Sequence, residues 1–276
     1  MIENLLKNDE IERVVVDLKN WGYSVSNNVI PQETCIAMGV ALDKLEEQYQ
    51  LKTGKSHRNP DGQLINRNIQ DSLPEMFLPL LNLDSVWNVL CSVFNDTPIL
   101  DGLNASQSGF SNGDIHIDGH LPLSQFEHTT DIVVTIALDD FTEENGATCI
   151  WPLSHKSEKR IQELKKDEQS YMEKGGIPLI ASRGSVAYML GQTWHQIRKN
   201  MNDQRRWGIL IHYKRWWIKP GQDFTKCGPE IYQILSQRQK ILYGFSTNPP
   251  KSVRERLKTK MDPDRLPEDY YEALEL

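Results

Sequence analysis

Four short apolar runs after residue 97 constrain the fold of this chain more than any other feature. They are rich in Val and Ile, β-branched residues that fit the pleated, half-buried surface of a sheet. We therefore predict four strands, at residues 98–100, 132–138, 185–190 and 207–213. These strands dominate the middle of the chain, so the fold must contain at least one sheet.

Helical patterns lie on both sides of the strands. Apolar residues near the N-terminus follow the spacing i, i+3, i+4, i+7: Ile11, Val14, Val15 and Leu18. This spacing places apolar side chains on one face of a helix, and residues 86–93 repeat it. Residues 229–245 have helical periodicity as well, and a charged helical insertion is predicted between the strands at about 157–174.

Helices flanking a run of strands predict an α+β fold. Its core would be a double-stranded β-helix (a jelly roll, or cupin-like core) flanked by helices. The 276 residues suffice for one domain with a substantial core. Within that single domain, 1–276, we predict a helical part at about 1–97, the jelly roll at about 98–215, and a C-terminal helix and tail at about 216–276. The mouth of a jelly roll can hold a ligand pocket.

Two stretches inside the strand region carry a metal-ligand pattern. His116 and Asp118 are two residues apart, so their side chains point to the same side of an extended strand. His195 would come from a later strand or its following loop, which a sheet can bring alongside. Two imidazoles and one carboxylate on one face of Fe(II) are typical of non-haem iron oxygenases, because the opposite face stays open. A His-x-Asp pair alone is a weak signal, since such histidines are often only hydrogen-bonded parts of the structure.

Three further segments give these ligands a family context. Residues 136–147 contain an Asn-Gly-Ala sequence, residues 151–156 a Pro-x-Ser-His sequence, and residues 184–186 a Gly-Ser-Val sequence before the second histidine. In this order after the His-x-Asp pair, they resemble the phytanoyl-CoA dioxygenase-like family of Fe(II)/2-oxoglutarate oxygenases. The resemblance covers about residues 98–215, with a looser similarity in the N-terminal helices.

The resemblance implies a site for 2-oxoglutarate as well as iron. The family places an Arg eleven residues after the second histidine, which here is Arg206. A guanidinium suits the C5 carboxylate because it donates two charge-assisted hydrogen bonds. By family position, Thr135 and Asn104 would line the same pocket. Alternatively, Arg205 and Arg206 are a solvated pair, and Thr135 and Asn104 are ordinary strand residues. The Ser that the family often carries two positions after the second histidine is Ile197 here, which leaves one cosubstrate hydrogen bond unassigned.

The implied reaction consumes 2-oxoglutarate and O2 and hydroxylates an aliphatic C–H bond of a small molecule. Related halogenases replace the carboxylate ligand by a small residue, so Asp118 predicts hydroxylation, or a related desaturation or ring closure, instead of halogenation. Candidate substrate contacts are His120, Trp194 and Tyr213. Aromatic residues more often belong to the core, and His120 could instead cap a turn. We expect a tailoring step on a polar natural product, for example an alkaloid, because no basic cluster suited to an acyl-CoA stands out.

Composition narrows the partners and leaves alternatives open. The net charge of -7 argues against binding a nucleic acid or an anionic membrane surface. No apolar run approaches the roughly 20 residues of a membrane span, and the N-terminus lacks the pattern of a secretory signal. We therefore expect a cytoplasmic protein with a small-molecule substrate. The alternatives are a non-catalytic jelly-roll ligand-binding protein and an acyl-CoA or lipid-type hydroxylase of the same family.

Overall fold

The structure is a computed structural model that describes residues 2–4, 6–119, 124–202 and 204–247. In these residues the strands are β1 (Tyr23–Ser26), β2 (Leu64–Asn66), β3 (Pro98–Gln107), β4 (Asp131–Ala137), β5 (Cys149–Ile150), β6 (Ile177–Pro178), β7 (Val186–Leu190), β8 (His195–Gln196) and β9 (Gly208–Arg215). The α-helices are α1 (Asn8–Trp21), α2 (Gln32–Thr53), α3 (Pro74–Phe77), α4 (Asp84–Phe94), α5 (Lys166–Met172), α6 (Pro229–Ile234) and α7 (Gln237–Leu242).

The strands form two antiparallel sheets that face each other. The larger sheet has the order β1-β7-β4-β9-β3-β2, and the smaller sheet has the order β6-β5-β8. Ile150 of the smaller sheet and Ala187 of the larger sheet belong to one buried cluster, so the inner faces are in contact. This arrangement confirms the predicted α+β fold, with a double-stranded β-helix core flanked by helices.

The two faces of the larger sheet have different surroundings. In β9, Ile209, Ile211 and Tyr213 are at most 1% exposed and lie in the main apolar core. That core also contains side chains of α1 and α4. The alternate residues Leu210 and His212 are only partly buried and lie on the face toward the smaller sheet. The outer face of the larger sheet is therefore held by the helices, whereas its inner face borders a cavity.

The N-terminal third is not only helical. β1 and β2 lie within the part predicted as helical, and they form the two edges of the larger sheet. They pair with β7 and β3 respectively. Strands of three or four residues carry too little periodicity to be recognised in the sequence. The sheet therefore takes its edge strands from outside the predicted jelly-roll segment.

The helix predicted over 229–245 is divided into α6 and α7. Between them, Ser236 interrupts the first helix and caps the second, since its Oγ accepts a hydrogen bond from the Gln239 N–H at 3.2 Å. Within the described residues, no single helix is long and apolar enough to cross a membrane. One pair of helical segments, Pro74–Asn82 and Asp84–Phe94, passes that test together by length and composition, with a bend of 49° between them.

Candidate metal centre and cosubstrate pocket

A short backbone bridge places the two candidate histidine ligands side by side. The His116 N–H donates to the His195 carbonyl at 3.0 Å, and the His195 N–H donates to the His116 carbonyl at 2.9 Å. The ring centroids are consequently 4.2 Å apart. The two residues are 79 positions apart in the sequence (195 minus 116), and this antiparallel bridge brings them together.

Asp118 completes the cluster. Its Oδ1 lies 3.8 Å from His116 Nε2, and its Oδ2 lies 3.4 Å from His195 Nε2. One candidate ligand atom from each of the three residues lies within 4.8 Å of the others. The Gly119 N–H donates to the Gly191 carbonyl at 2.7 Å, which fixes the chain directly after Asp118. The three residues predicted from the sequence are therefore brought together.

The orientation of both imidazoles is fixed by backbone carbonyls. Nδ1 of His116 lies 2.8 Å from the Asp114 carbonyl oxygen, and Nδ1 of His195 lies 3.1 Å from the Thr193 carbonyl oxygen. A carbonyl only accepts, so each Nδ1 carries the proton in the neutral ring and each Nε2 keeps its lone pair. This second hydrogen bond is typical of metal-binding histidines.

The electrostatics of the cluster favour the state that binds a metal. Burial lowers the pKa of His195, although the Asp118 carboxylate acts in the opposite direction. Burial acts to raise the pKa of Asp118, but His195, His212 and His116 around it lower that pKa overall. A carboxylate beside neutral imidazole nitrogen is a suitable donor set for Fe(II), so the residues present fit this ion.

The cavity beside the cluster is lined by one row of side chains across the larger sheet. The strand register aligns Asn104, Leu210, Thr135 and Ala187 from four neighbouring strands. Thr135, Leu210 and Ala187 border the same cavity as Asp118 and His195. Asn104 Oδ1 accepts a hydrogen bond from the Asn68 N–H at 3.1 Å, which holds the amide in place. Thr135 therefore borders the cavity, and Asn104 lies in the same row on the same face of the sheet.

Arg206 is a buried cation without an ion-pair partner in the described residues. It lies two residues before β9, on the inward side of the alternation, and is 3% exposed. Its guanidinium carbon lies 4.3 Å from the centroid of the Phe141 ring, and its Nε has no hydrogen-bond partner. Burial lowers the pKa of Arg206 to about 10, and Asp139 partly counteracts this effect. A buried, unpaired guanidinium is costly unless an anion binds it, so this residue fits a carboxylate ligand.

Neighbouring arginines have structural partners instead. Arg205 points to the opposite side and forms ion pairs with Asp139 and Asp43 at 2.9 and 2.7 Å. Arg183 also pairs with Asp139, at 3.2 Å. The idea that Arg205 and Arg206 form a solvated pair is therefore wrong, because Arg206 is buried and Arg205 is held by carboxylates.

The Pro-x-Ser-His segment supports the site without entering it. Ser154 Oγ accepts a hydrogen bond from the Trp194 N–H at 2.8 Å and donates to the Trp151 carbonyl at 2.6 Å. This fixes the residue directly before His195. Nε2 of His155 contacts the Lys19 carbonyl at 3.1 Å, which connects the same turn to α1.

Two predicted substrate contacts are not in the cavity. Trp194 is 3% exposed and packs in a separate apolar cluster with Ile115 and Trp151, and its indole N–H donates to the Lys159 carbonyl. Tyr213 is 1% exposed and lies in the helix-packed core. The structure places both side chains away from the cavity for the same reason: neighbouring residues of extended chain point in opposite directions, and these two are directly next to His195 and His212. His120 lies outside the described residues.

His212 is an inner-face residue near the cluster that the sequence interpretation missed. It is partly buried, lies two residues beyond Leu210 on the inner face, and is opposite Gly102 and Val133 in the register. Its charge influences the pKa of both Asp118 and His195. The sequence could have indicated His212, since it lies six residues after Arg206, and residues an even number apart on an extended chain point to the same side.

A larger cavity of about 510 Å³ lies elsewhere, at the end of β3 and beside α7. Trp216, Trp217, Phe224 and Leu242 contribute its apolar walls, and Asp223 is the one carboxylate among its lining residues. It has no histidine in that lining and so offers no ligand set for iron. The smaller cavity at His195 is therefore the candidate reaction site.

A jelly roll with two histidines, one carboxylate and a buried arginine at its interior defines the non-haem iron, 2-oxoglutarate-dependent oxygenases as the class of this protein. The sequence comparison identifies the family within that class. Residues 18–208 match the family described as phytanoyl-CoA dioxygenase (PhyH), and the chain belongs to this family.

Individual relatives are distant. The chain is 24% identical over 248 residues to an uncharacterized protein of Mycobacterium tuberculosis, Rv1501, covering 86% of this chain and 88% of that protein. Among solved structures, EctD from S. alaskensis with bound Fe has a TM-score of 0.62 at 15% identity, covering 79% of this chain and 84% of EctD. The non-heme alpha ketoglutarate dependent epimerase SnoN from nogalamycin biosynthesis has a TM-score of 0.59 at 17% identity, covering 76% and 84%. At these identities the structural similarity shows the shared fold.

Proposed function

We propose that this protein is an Fe(II)- and 2-oxoglutarate-dependent dioxygenase that hydroxylates an aliphatic C–H bond of a small molecule. The observation that carries the proposal is the convergence of His116, Asp118 and His195 beside the inner face of the larger sheet, the face on which strand alternation also places the buried Arg206 with its unpartnered Nε. When bound, Fe(II) with 2-oxoglutarate and O2 supplies an oxidant for an aliphatic C–H bond, and 2-oxoglutarate is converted to succinate and CO2.

The roles of the residues follow from their positions. Nε2 of His116, Nε2 of His195 and a carboxylate oxygen of Asp118 would hold the metal from one side. Arg206 would bind the C5 carboxylate of 2-oxoglutarate, because a guanidinium and a carboxylate match in charge and geometry. Thr135 would donate its hydroxyl, and Asn104 its amide, to the same cosubstrate.

A largely buried group of charges lies on the inner face of the larger sheet. Beyond His212, the inner face carries Lys214, which pairs with Asp101 at 3.0 Å and lies 3.9 Å from Asp131. This group holds two carboxylates for one ammonium, and such a charge balance does not favour the phosphates of an acyl-CoA. We therefore favour a smaller, polar natural product, and the described role of SnoN in nogalamycin biosynthesis supports a tailoring step.

Two other functions remain as alternatives with distinct outcomes. An epimerase of the same cofactor class would return a product of unchanged mass. It would need an added reductant, because 2-oxoglutarate and O2 supply two oxidising equivalents that an epimerisation does not use; SnoN is a non-heme alpha ketoglutarate dependent epimerase. A non-catalytic ligand-binding protein would not oxidise 2-oxoglutarate at all. The intact ligand set argues against the second alternative.

The deciding experiment has two stages. Anaerobic addition of Fe(II) and 2-oxoglutarate should produce a visible metal-to-ligand charge-transfer band, and Asp118→Ala should abolish it. Aerobic incubation with a metabolite extract should then yield succinate together with one compound heavier by one oxygen atom. Absence of both the band and succinate would rule out the oxygenase, whereas succinate without any mass gain would favour the epimerase.

A further inference from the structure

We propose that Asp139 is a positioning residue that orients Arg206 for 2-oxoglutarate. This inference rests on the proposed role of Arg206 as the cosubstrate anchor. Asp139 is 5% exposed and follows β4 by two residues. Its carboxylate binds Arg183, Arg205 and the Trp207 N–H, none of which is a candidate iron ligand.

Asp139 binds both sequence neighbours of Arg206. Its Oδ2 accepts hydrogen bonds from the Trp207 N–H at 2.9 Å and from Arg205 Nε at 3.1 Å, and its Oδ1 accepts one from Arg205 Nη2 at 2.9 Å. A single buried carboxylate therefore fixes the backbone on one side of Arg206 and the side chain on the other. The peptide that carries Arg206 has little freedom to rotate as a result.

A second, more exposed carboxylate binds the same two residues, so the two acids together form a clamp on Arg205 and Trp207. Asp43 of α2 accepts hydrogen bonds from Arg205 Nη1 at 2.7 Å and from Trp207 Nε1 at 2.8 Å. Its side chain is 46% exposed, against 8% for Asp139. Because water screens an exposed ion pair, Asp139 should contribute more to the clamp than Asp43.

The same contacts occupy Asp139 and leave Arg206 available for the carboxylate of 2-oxoglutarate. The negative charge of Asp139 acts to raise the pKa of Arg206. The Asp139 carboxylate, however, already accepts hydrogen bonds from Arg205, Arg183 and the Trp207 N–H. Arg206 is thus left against the ring of Phe141, with its Nε unpaired. A guanidinium that is fixed in place and has no counter-ion in the described part of the chain is preorganised for an incoming carboxylate.

The test compares two 2-oxo acids, of which only one has the carboxylate that Arg206 would bind. Pyruvate retains the C1 carboxylate and keto oxygen of 2-oxoglutarate but lacks its terminal CH2–COO− unit. Each acid is titrated anaerobically into the Fe(II)-loaded full chain, and the charge-transfer band gives its Kd. Asp139→Asn should weaken 2-oxoglutarate binding about tenfold, the lower end of losses measured when orienting partners are removed at metal sites, while the Kd of pyruvate stays unchanged.

Matched variants make the result specific. Arg206→Lys should show the same selective loss, and Asp43→Asn should show a smaller one. Asp140→Asn is the control, because Asp140 is exposed and its carboxylate accepts from the Arg183 N–H, not from the neighbours of Arg206. That control should bind both acids as the wild type does.

Several outcomes would overturn the inference. Equal weakening of 2-oxoglutarate and pyruvate by Asp139→Asn would show a general structural role, and an unchanged Kd for both would show no role. Thermal unfolding of each variant, with the titration normalised to bound Fe(II), separates misfolding from mispositioning. Absence of any band in the wild type would instead refute the proposed function itself.

Discussion

The two faces of the larger sheet are built by the same strands but differ in what their side chains contact. On the helix-packed face, Ile211 and Tyr213 of β9 are almost fully buried among apolar neighbours. On the inner face, Leu210 and His212 of the same strand are only partly buried, and Leu210 borders the cavity. The alternation of one strand therefore separates residues that stabilise the fold from residues that are available for chemistry.

This difference predicts that variants on the two faces fail in different ways. A change on the inner face should alter ligand binding or turnover with little effect on stability. A change on the outer face should do the reverse. Each prediction below tests one side of this separation, beginning with the largest effect.

Asp118→Ala should remove turnover while the fold is retained. Its carboxylate is one of three metal ligands, and loss of a ligand should exceed the roughly 100-fold cost of losing an outer orienting group. Succinate formation measures turnover, and thermal unfolding of the metal-free protein measures the fold. A variant that keeps full activity would show that the iron lies elsewhere.

Ile211→Ala should destabilise the protein by about 2–5 kcal/mol, because it leaves a cavity in the fully buried core. The matched control is its neighbour Leu210→Ala, which removes a side chain that already borders a cavity and should cost much less. Urea unfolding of both variants gives the comparison. Equal losses would contradict the separation of the two faces.

Arg206→Met should weaken 2-oxoglutarate binding by about 10- to 100-fold, the range expected for losing hydrogen bonds to a charged group. The ligand-free variant should be no less stable than the wild type, because the unpaired guanidinium is replaced by an apolar side chain of similar length. Calorimetric titration and urea unfolding test the two parts. A large loss of stability without ligand would assign Arg206 to the core instead.

Acidification should destabilise the metal-free protein through the inner face. The pKa of His195 is lowered, chiefly by burial, so below about pH 6.5 the unfolded chain binds a proton that the folded chain does not. Stability should be complete above that pH and decline as the pH falls through the lowered pKa. Urea unfolding between about pH 7.5 and about pH 5.5 measures this slope, and His195→Gln should reduce it more than the exposed His128→Gln.

Different kinds of sequence information predict the four central strands of the larger sheet and the residues of the candidate site. Apolar runs were enough to locate β4, β7 and β9, because each strand has a buried outer face, whereas only the first three residues of β3 (Pro98–Gln107) were predicted. The smaller sheet could not be predicted, since strands of two residues have no measurable periodicity. Its position depends on tertiary contacts such as the bridge between His116 and His195.

The placement of the candidate substrate contacts has one physical origin. Trp194 and Tyr213 are directly next to His195 and His212 in the sequence, and adjacent positions of extended chain face opposite sides. The same rule, applied from Arg206 along β9, would have selected His212. Thr135 and Asn104 could be suggested only by family resemblance, because a polar residue on a strand has no sequence feature that distinguishes a ligand contact.

The edge strand β1 has a consequence for how this protein can be divided. Tyr23 of β1 borders the same cavity as Asp118 and His195, although it lies far from them in the sequence. A truncated fragment that begins at residue 98 would therefore lack one wall of its reaction chamber and leave the edge of β7 unpaired. The N-terminal segment is part of the catalytic unit, and a fragment or chimera intended to retain iron chemistry must include it.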